Sequence, residues 1–582
     1  MKNVILIPLK ARVPYNSIFV PPIIRYFGFI FLASVSFFCA GQYAPPGGPV
    51  DKVPLEVVAT SPAPGTLRFH GDKIRIEFNK YITPLRVQQA VFVSPSLGQL
   101  EYDWGWKDVV ISFSDSLRPN TTYIFTLGTD AQDSHGNSLT QAFALPFSTG
   151  DKIDSASVTG RVFDQNPSGI MIFAYKLHGR APDTLNPTHT KPDFLTQTGK
   201  DGSFALTNLD TGSYRMIAVR DQYRNLLYDV QADDYGVLPS DLALPVPKSS
   251  IADVQFKMTA ADTSRPFLSS AKALNRTEIL LRFSKPVDPG SVNTAVLSVV
   301  DTLSKKSLDV HDLSFSESGL EASLVTADQD SPGVYMVKVS SARDLHGNAI
   351  ADTGGKAFFG ASARPDTLKP TIKFLSGADS LKNIDPEDTL WVTLTKPVIR
   401  EKLEQAIHLY DSTKTQIQAR LEWKNSLHAV LVPSHLLYGA WYRLTIVLDS
   451  LRDYGGKGYH DSILVRRFLT MSDQVLGSVS GVMFDERSNE PGRIILTMRE
   501  ILSKDIPVKV LTLDSVGGFS FEHVREGKYS LWAYRDRDKK GGYVFGDVFP
   551  YIPSERFAIY PDTLKVRARW PLEGVQLRLK KF

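Results

Sequence analysis

The sequence predicts an all-β protein, a series of tandem β-sandwich domains after an N-terminal signal and a flexible tether. Three observations lead there. The chain is 582 residues long, and single hydrophobic cores stop growing at roughly 250–300 residues, so several domains are required. Short apolar segments with period-two alternation recur along it, divided by Gly, Pro, Asn and Asp, while helical periodicity is scarce. Two kinds of unit, each of roughly 100 residues, also repeat, and repeats set an architecture before any motif does.

An apolar fraction of 42% and a charged fraction of 22% are those of a chain that folds. A net charge of +4 over this length makes no concentrated basic face, so nucleic acid is not an expected partner. The one cysteine, Cys39, excludes an internal disulfide.

Taken in order, residues 1–38 read as a signal peptide. Lys2, Lys10, Arg12 and Arg25 precede an uncharged run of 13 residues, Tyr26 to Phe38, too short to cross a bilayer comfortably. Cys39 falls at the processing point, and the stretch resembles a bacterial lipoprotein signal, which implies Cys39 as the lipid attachment site. Ser36 stands three places before the cysteine, where that pattern has leucine, and bulky Phe38 just before it, where the pattern has a small residue. A signal anchor with an incidental cysteine is the other reading. Residues 39–53, rich in Pro and Gly, read as a tether.

The first kind of unit spans 54–150, 264–362 and 368–470. Each opens with a strand candidate ending near a lysine: "KIRIEFNKYI" with Lys80, "EILLRFSKPV" with Lys285, "TLWVTLTKPV" with Lys396. Further on, a second strand from Tyr123, Tyr335 or Tyr442 runs into an Asp-centred corner, "DSHGN" (Asp133 to Asn137), "DLHGN" (Asp344 to Asn348) or "DYGGK" (Asp453 to Lys457). Asp and Asn mimic backbone turns and Gly accepts positive φ, so this is turn chemistry. His135 and His346 read as exposed turn residues, since no second metal ligand stands at a usable spacing. "IREKLEQAI" (Ile399 to Ile407) is the best helix candidate.

The second kind of unit spans 155–258 and 476–582. Gly199 to Asp221 aligns without a gap on Asp514 to Asp536, with seven identities in 23 positions, among them Gly202/Gly517, Tyr214/Tyr529 and Arg220/Arg535. A strand ending in Phe-Asp precedes each copy, "ASVTGRVFD" and "GSVSGVMFD".

On the F-x-K strands and the D-x-x-G-N corners, the first unit resembles the SbsA-type bacterial Ig-like domain of Bacteroidetes envelope lipoproteins. The third copy departs from it at "DYGGK". On "G-x-F…L-x-x-G-x-Y", the second resembles the carboxypeptidase regulatory-like, transthyretin-like sandwich. The resemblance covers nearly all of the chain after Cys39. It implies architecture and a cell-envelope setting, in the outer membrane, and no catalysis.

No H-E-x-x-H, G-x-S-x-G, phosphate loop or paired Cys occurs, so no catalytic residue, resident metal or cofactor is expected. Two loops suggest chemistry. "DRDKKGGYVFGD" places Asp536, Asp538 and Asp547 as a candidate calcium loop, with "DQYRNLLYD" (Asp221 to Asp229) as its counterpart; Lys540 and Tyr223 stand where oxygen ligands belong, which favours solvated loops closed by Asx turns. "YDWGWKDVVISF" sets Tyr102, Trp104 and Trp106 on one strand face, either as core packing or as a sugar-stacking platform. The C-terminal basic alternation, from Lys565 to Lys580, fits a wet strand face. The functional expectation is a non-enzymatic, membrane-anchored envelope scaffold, spacer or protein-binding module. The alternative is a surface glycan-binding accessory protein.

Overall fold

The computed structural model describes residues 50–177, 184–316, 318–351, 353–375, 382–387, 389–454, 456–502, 506 and 508–582. The signal peptide, Cys39 and most of the tether lie outside these. The chain divides into the units Met1–Val53 and Pro54–Phe582. In the first, Asp51 accepts the backbone N–H of Val53 at 3.0 Å. The second is a series of tandem β-sandwiches. Among the described residues, ten sheets close in pairs on five cores.

Sandwiches 1, 3 and 4 share a plan. In sandwich 1 the sheet Val57–Ser61, Lys73–Phe78, Asp108–Phe113, Leu100–Trp104 faces the sheet Val91–Ser94, Thr122–Leu127, Phe143–Ser148. The alternation read in the sequence fixes the inward side. Ile74, Ile76 and Phe78 are enclosed against Val109 and Ile111, while Lys73 and Arg75 stay in solvent. Glu278–Phe283 in sandwich 3 and Leu390–Leu394 in sandwich 4 repeat this pattern. Each enclosed Ile, Leu or Phe contributes about 1.5–3 kcal/mol relative to exposure. Thr122–Leu127 is buried at every position, which alternation alone would not reveal.

After the lysine-bearing strand the chain makes a short helical turn. Pro84–Ala90 forms it in sandwich 1 with Pro at the first helical positions, and Arg400–Ala406 in sandwich 4, inside the Ile399–Ile407 expectation. In sandwich 3 two 3₁₀ turns, Pro289–Ser291 and Thr294–Val296, take its place.

Sandwiches 2 and 5 share a different plan. The first and last strands pair in parallel, Ala156–Phe163 with Ser250–Lys257 and Leu476–Asp485 with Pro571–Leu579. Opposite lies an antiparallel sheet centred on Gly212–Val219 or Gly527–Asp536. Gly160 and Gly481 occupy equivalent points where the parallel neighbour passes close. A Cβ there would stand 2.1 Å from the Val254 carbonyl oxygen and 1.9 Å from that of Val575.

Sandwich 5 also docks on sandwich 2, its non-consecutive relative. The Tyr235 hydroxyl donates to the Gly546 carbonyl at 2.8 Å, the Tyr551 hydroxyl to the Leu238 carbonyl at 3.0 Å, and the buried Ser554 hydroxyl to the Val237 carbonyl at 2.9 Å. Val548, 1% exposed, enters a second apolar cluster on sandwich 2 with Phe173, Tyr175 and Tyr228. Arg215 lies over the Tyr551 ring at 3.6 Å.

Candidate functional site

The repeated lysines and the repeated aspartate corners turn out to be one device. Asp133 accepts the backbone N–H groups of His135 and Asn137 and the Asn137 amide, and Lys80 reaches it at 3.2 Å. Asp344 is held likewise by His346, Asn348 and Lys285, the ammonium standing 2.7 Å away. Burial pushes the Asp344 carboxyl up, but hydrogen bonds from Lys285, Asn348 and the His346 backbone outweigh it and lower it to about 2.

A further carboxylate comes from the segment preceding the domain. Asp262 pairs with Lys285, and Asp366 with Lys396 and Lys457. The departure "DYGGK" thus has a reason: Lys457 takes the place of the asparagine and donates to the Asp366 backbone carbonyl. In sandwich 3 the Asn348 amide donates to the Asp262 carbonyl instead, at 2.7 Å. Asp262, Asp344 and His346 bring ligand-type atoms together, and the linker supplies the partner that sequence spacing could not show. The Lys285 ammonium already serves as the cation between the two carboxylates.

Sandwiches 2 and 5 have their own charged pair, between the Phe-Asp ending and the Arg of the aligned block. Arg220 donates to Asp164 at 2.6 Å and Arg535 to Asp485. In sandwich 5 the network is enclosed and extended by Arg556, which meets Asp485 at 2.6 Å and also pairs with Glu490. These pairs hold strands and turns of each sandwich together.

The aromatic motif divides. The strand ends at Trp104, so Trp106 does not share one strand face with Tyr102 and Trp104 as the alternation suggested. Tyr102 and Trp104 stack at 5.4 Å and pack on the sandwich 1 core. Trp106, 83% exposed in the following turn, meets Tyr81 edge-on at 5.8 Å, with Lys107 over the Tyr81 ring at 5.2 Å. Tyr81, Pro84, Trp104 and Trp106 line a shallow depression of about 480 Å³. Tyr81 belongs to the "KIRIEFNKYI" motif, and nothing local in the sequence ties it to Trp106. A second cleft, about 360 Å³, lies between sandwiches 3 and 4. Its charged walls are engaged: Arg276 with Asp328, Lys396 with Asp366, and Glu278 with Ser323 and Asn275.

The two acidic loops differ. In the first, Asp221 accepts the N–H groups of Asn225 and Leu226, and Asp233 those of Gln222 and Asp229, closing the loop on itself. In the second, Asp536 and Asp538 are brought together with Glu555 rather than with Asp547. Asp547 faces the docking interface and accepts from Tyr235 at 3.2 Å, next to Gly546 at φ +76°. Burial, with Asp536 adding to it, pushes the Glu555 carboxyl up against the two backbone N–H groups that bind it.

A family profile described as a bacterial Ig-like domain matches residues 51–149. No protein with a curated description matches the chain. Among solved structures, the N-terminal part of the bacterial S-layer protein SbsC is similar at 16% identity over 36% of this chain and 44% of that one, with a TM-score of 0.16. The MG0-NIE-MG1 domains of Escherichia coli alpha-2-macroglobulin are similar at 16% identity over 47% and 95%, TM-score 0.16. The Bacillus anthracis TIE protein is similar at 10% identity over 92% and 76%, TM-score 0.13. The chain spans 44% and 58% of the two S-layer SbsC structures it matches. Likenesses this low carry no argument about function. No helix among the described residues is long and apolar enough to cross a membrane.

Proposed function

We propose that this chain is a non-enzymatic protein of the bacterial cell envelope, held to the membrane through a lipid on Cys39 and acting as a scaffold or protein-binding module. The observation that carries the reading is how the charged groups are used. Lys80, Lys285 and Lys396 close corners, Arg535 and Arg556 close a strand network, and non-consecutive sandwiches are braced on each other. Such an arrangement serves to present surfaces in fixed relation. Photoreactive residues placed at exposed Leu303, Leu437 and Trp570 in intact cells test it. The expected result is discrete protein adducts in the membrane fraction, which Cys39→Ser moves out of that fraction. Absence of adducts at all three positions, or an unchanged distribution with Cys39→Ser, would overturn it.

A second reading, a glycan-binding surface, is favoured by exposed Trp106 beside Tyr81, an aromatic pair with no packing duty for the indole. A glycan array comparing wild type with Trp106→Ala decides between the two. Binding lost in the variant supports the glycan reading, and no binding by either protein removes it.

A further inference from the structure

The loop between the strands Gly527–Asp536 and Phe557–Ile559 begins and ends on buried acids. Asp536 is 0% exposed and Glu555 1%. One oxygen each from Asp536, Asp538 and Glu555 lies within 4.8 Å of the other two. Two enclosed carboxylates need compensation, since burying an isolated charge is costly. The compensation visible is partial. Glu555 accepts the backbone N–H groups of Arg537 and Val544, Arg493 Nε and the Gly541 N–H both go to Asp536 Oδ2, and Lys540, its side chain 81% exposed, reaches Asp538 from the solvent side at 3.0 Å.

Asp536 Oδ1 is buried and accepts no hydrogen bond. Native proteins rarely leave such an oxygen unsatisfied. The contrast with sandwich 3 is instructive: there Lys285 bridges two of the carboxylates, whereas among the described residues no cationic side chain bridges any two of Asp536, Asp538 and Glu555. A set made only of hard carboxylate oxygens, with a Gly-bearing turn between them, suits a calcium ion in preference to zinc or copper.

We propose that Asp536, Asp538 and Glu555 bind calcium, and that the ion closes the neck of the loop that docks sandwich 5 on sandwich 2. The loop running from Arg537 to Ser554 carries the Gly546, Val548, Tyr551 and Ser554 contacts with sandwich 2. Tying Asp536 and Asp538 to Glu555 fixes both ends of that loop at once, lowering the entropy it loses on docking. The counterpart acids of sandwich 2 are satisfied by their own loop and take no ion.

The test uses the full chain, stripped with chelator and titrated with calcium chloride by calorimetry and thermal unfolding. Expected are a saturable heat of binding, a rise in Tm of a few degrees and slower hydrogen exchange over residues 537–554. Magnesium at the same concentration should give a clearly smaller response. Asp538→Asn, at the most exposed of the three ligands and able to keep the Lys540 N–H bond, should weaken calcium binding at least tenfold, and Glu555→Gln likewise. Wild type without heat or Tm shift would overturn the proposal. So would a calcium response retained in full by Asp538→Asn, which would put the ion elsewhere.

Discussion

Lys285 meets a carboxylate, Asp344, whose side chain has no solvent exposure, and pairs with Asp262 across from it. Losing the ammonium would strand a buried charge, which typically costs about 3–5 kcal/mol. Lys285→Met should therefore speed exchange of the strand Val334–Val339, which reports sandwich 3 locally, by at least a hundredfold at pH 7. The pH dependence has a definite sign. A carboxyl lowered from 3.8 to about 2 contributes stability above pH 3.8, about 2 kcal/mol at full ionisation, and loses it as pH falls through 2. The gap between variant and wild type should narrow below about pH 3, where protonated Asp344 no longer needs the lysine; exchange at pH 7 equal to wild type would refute the pairing. Both halves of the device were legible as repeated motifs. Their contact was not, because it spans 59 residues in sequence, and its third member, Asp262, sits in a linker where "DTSRP" recurs as "DTLKP" at Asp366 with nothing in the spacing to tie it to the corner.

At the level of elements, strands with one wet face were readable because alternation encodes the inward side, as in Lys73–Phe78. The turn Pro84–Ala90 leaves no sequence signature, since seven residues are too few to set a helical period. The parallel pairing in sandwiches 2 and 5 was not readable either: Gly481 and Val575 meet across almost the whole domain, and register between distant strands leaves no local mark. The glycine itself supplies the test. Alanine at Gly481 would drive its Cβ into a backbone carbonyl that cannot swing aside, an overpacking cost of about 1–3 kcal/mol. Gly481→Ala should lower the Tm of the transition belonging to sandwich 5. Gly360→Ala, where nothing lies within 4 Å, should stay within about 0.5 kcal/mol of wild type. Equal effects from the two substitutions would mean that the close approach is not what selects glycine.

For the Pro54–Phe582 unit as a whole, the decisive feature is that consecutive order does not set neighbourhood. Five sandwiches on short linkers would by sequence alone form a string, each touching only the next. Docking of sandwich 5 on sandwich 2 ties residues more than 300 positions apart, with Tyr235, Val237 and Leu238 on one side and Gly546, Tyr551 and Ser554 on the other. The contact combines an enclosed apolar group, Val548, with hydrogen bonds from three hydroxyls to backbone carbonyls, so disrupting its centre should release both partners together. The double variant Val548→Asp with Tyr551→Ala puts an unpaired charge into the apolar cluster and removes the ring under Arg215. Its expected signature is hydrogen exchange at least tenfold faster in Asp234–Val237 and in residues 544–554 at once. Protection should persist in Phe204–Leu206 and in Phe519–Phe521, which belong to the opposite sheets of the two sandwiches. If only the sandwich 5 loop loosened, Asp234–Val237 would owe its order to its own sheet, and the brace would be a one-sided contact. Coupled loosening would establish that the two sandwiches hold each other, which is what a scaffold needs in order to keep its outer surfaces in fixed relation.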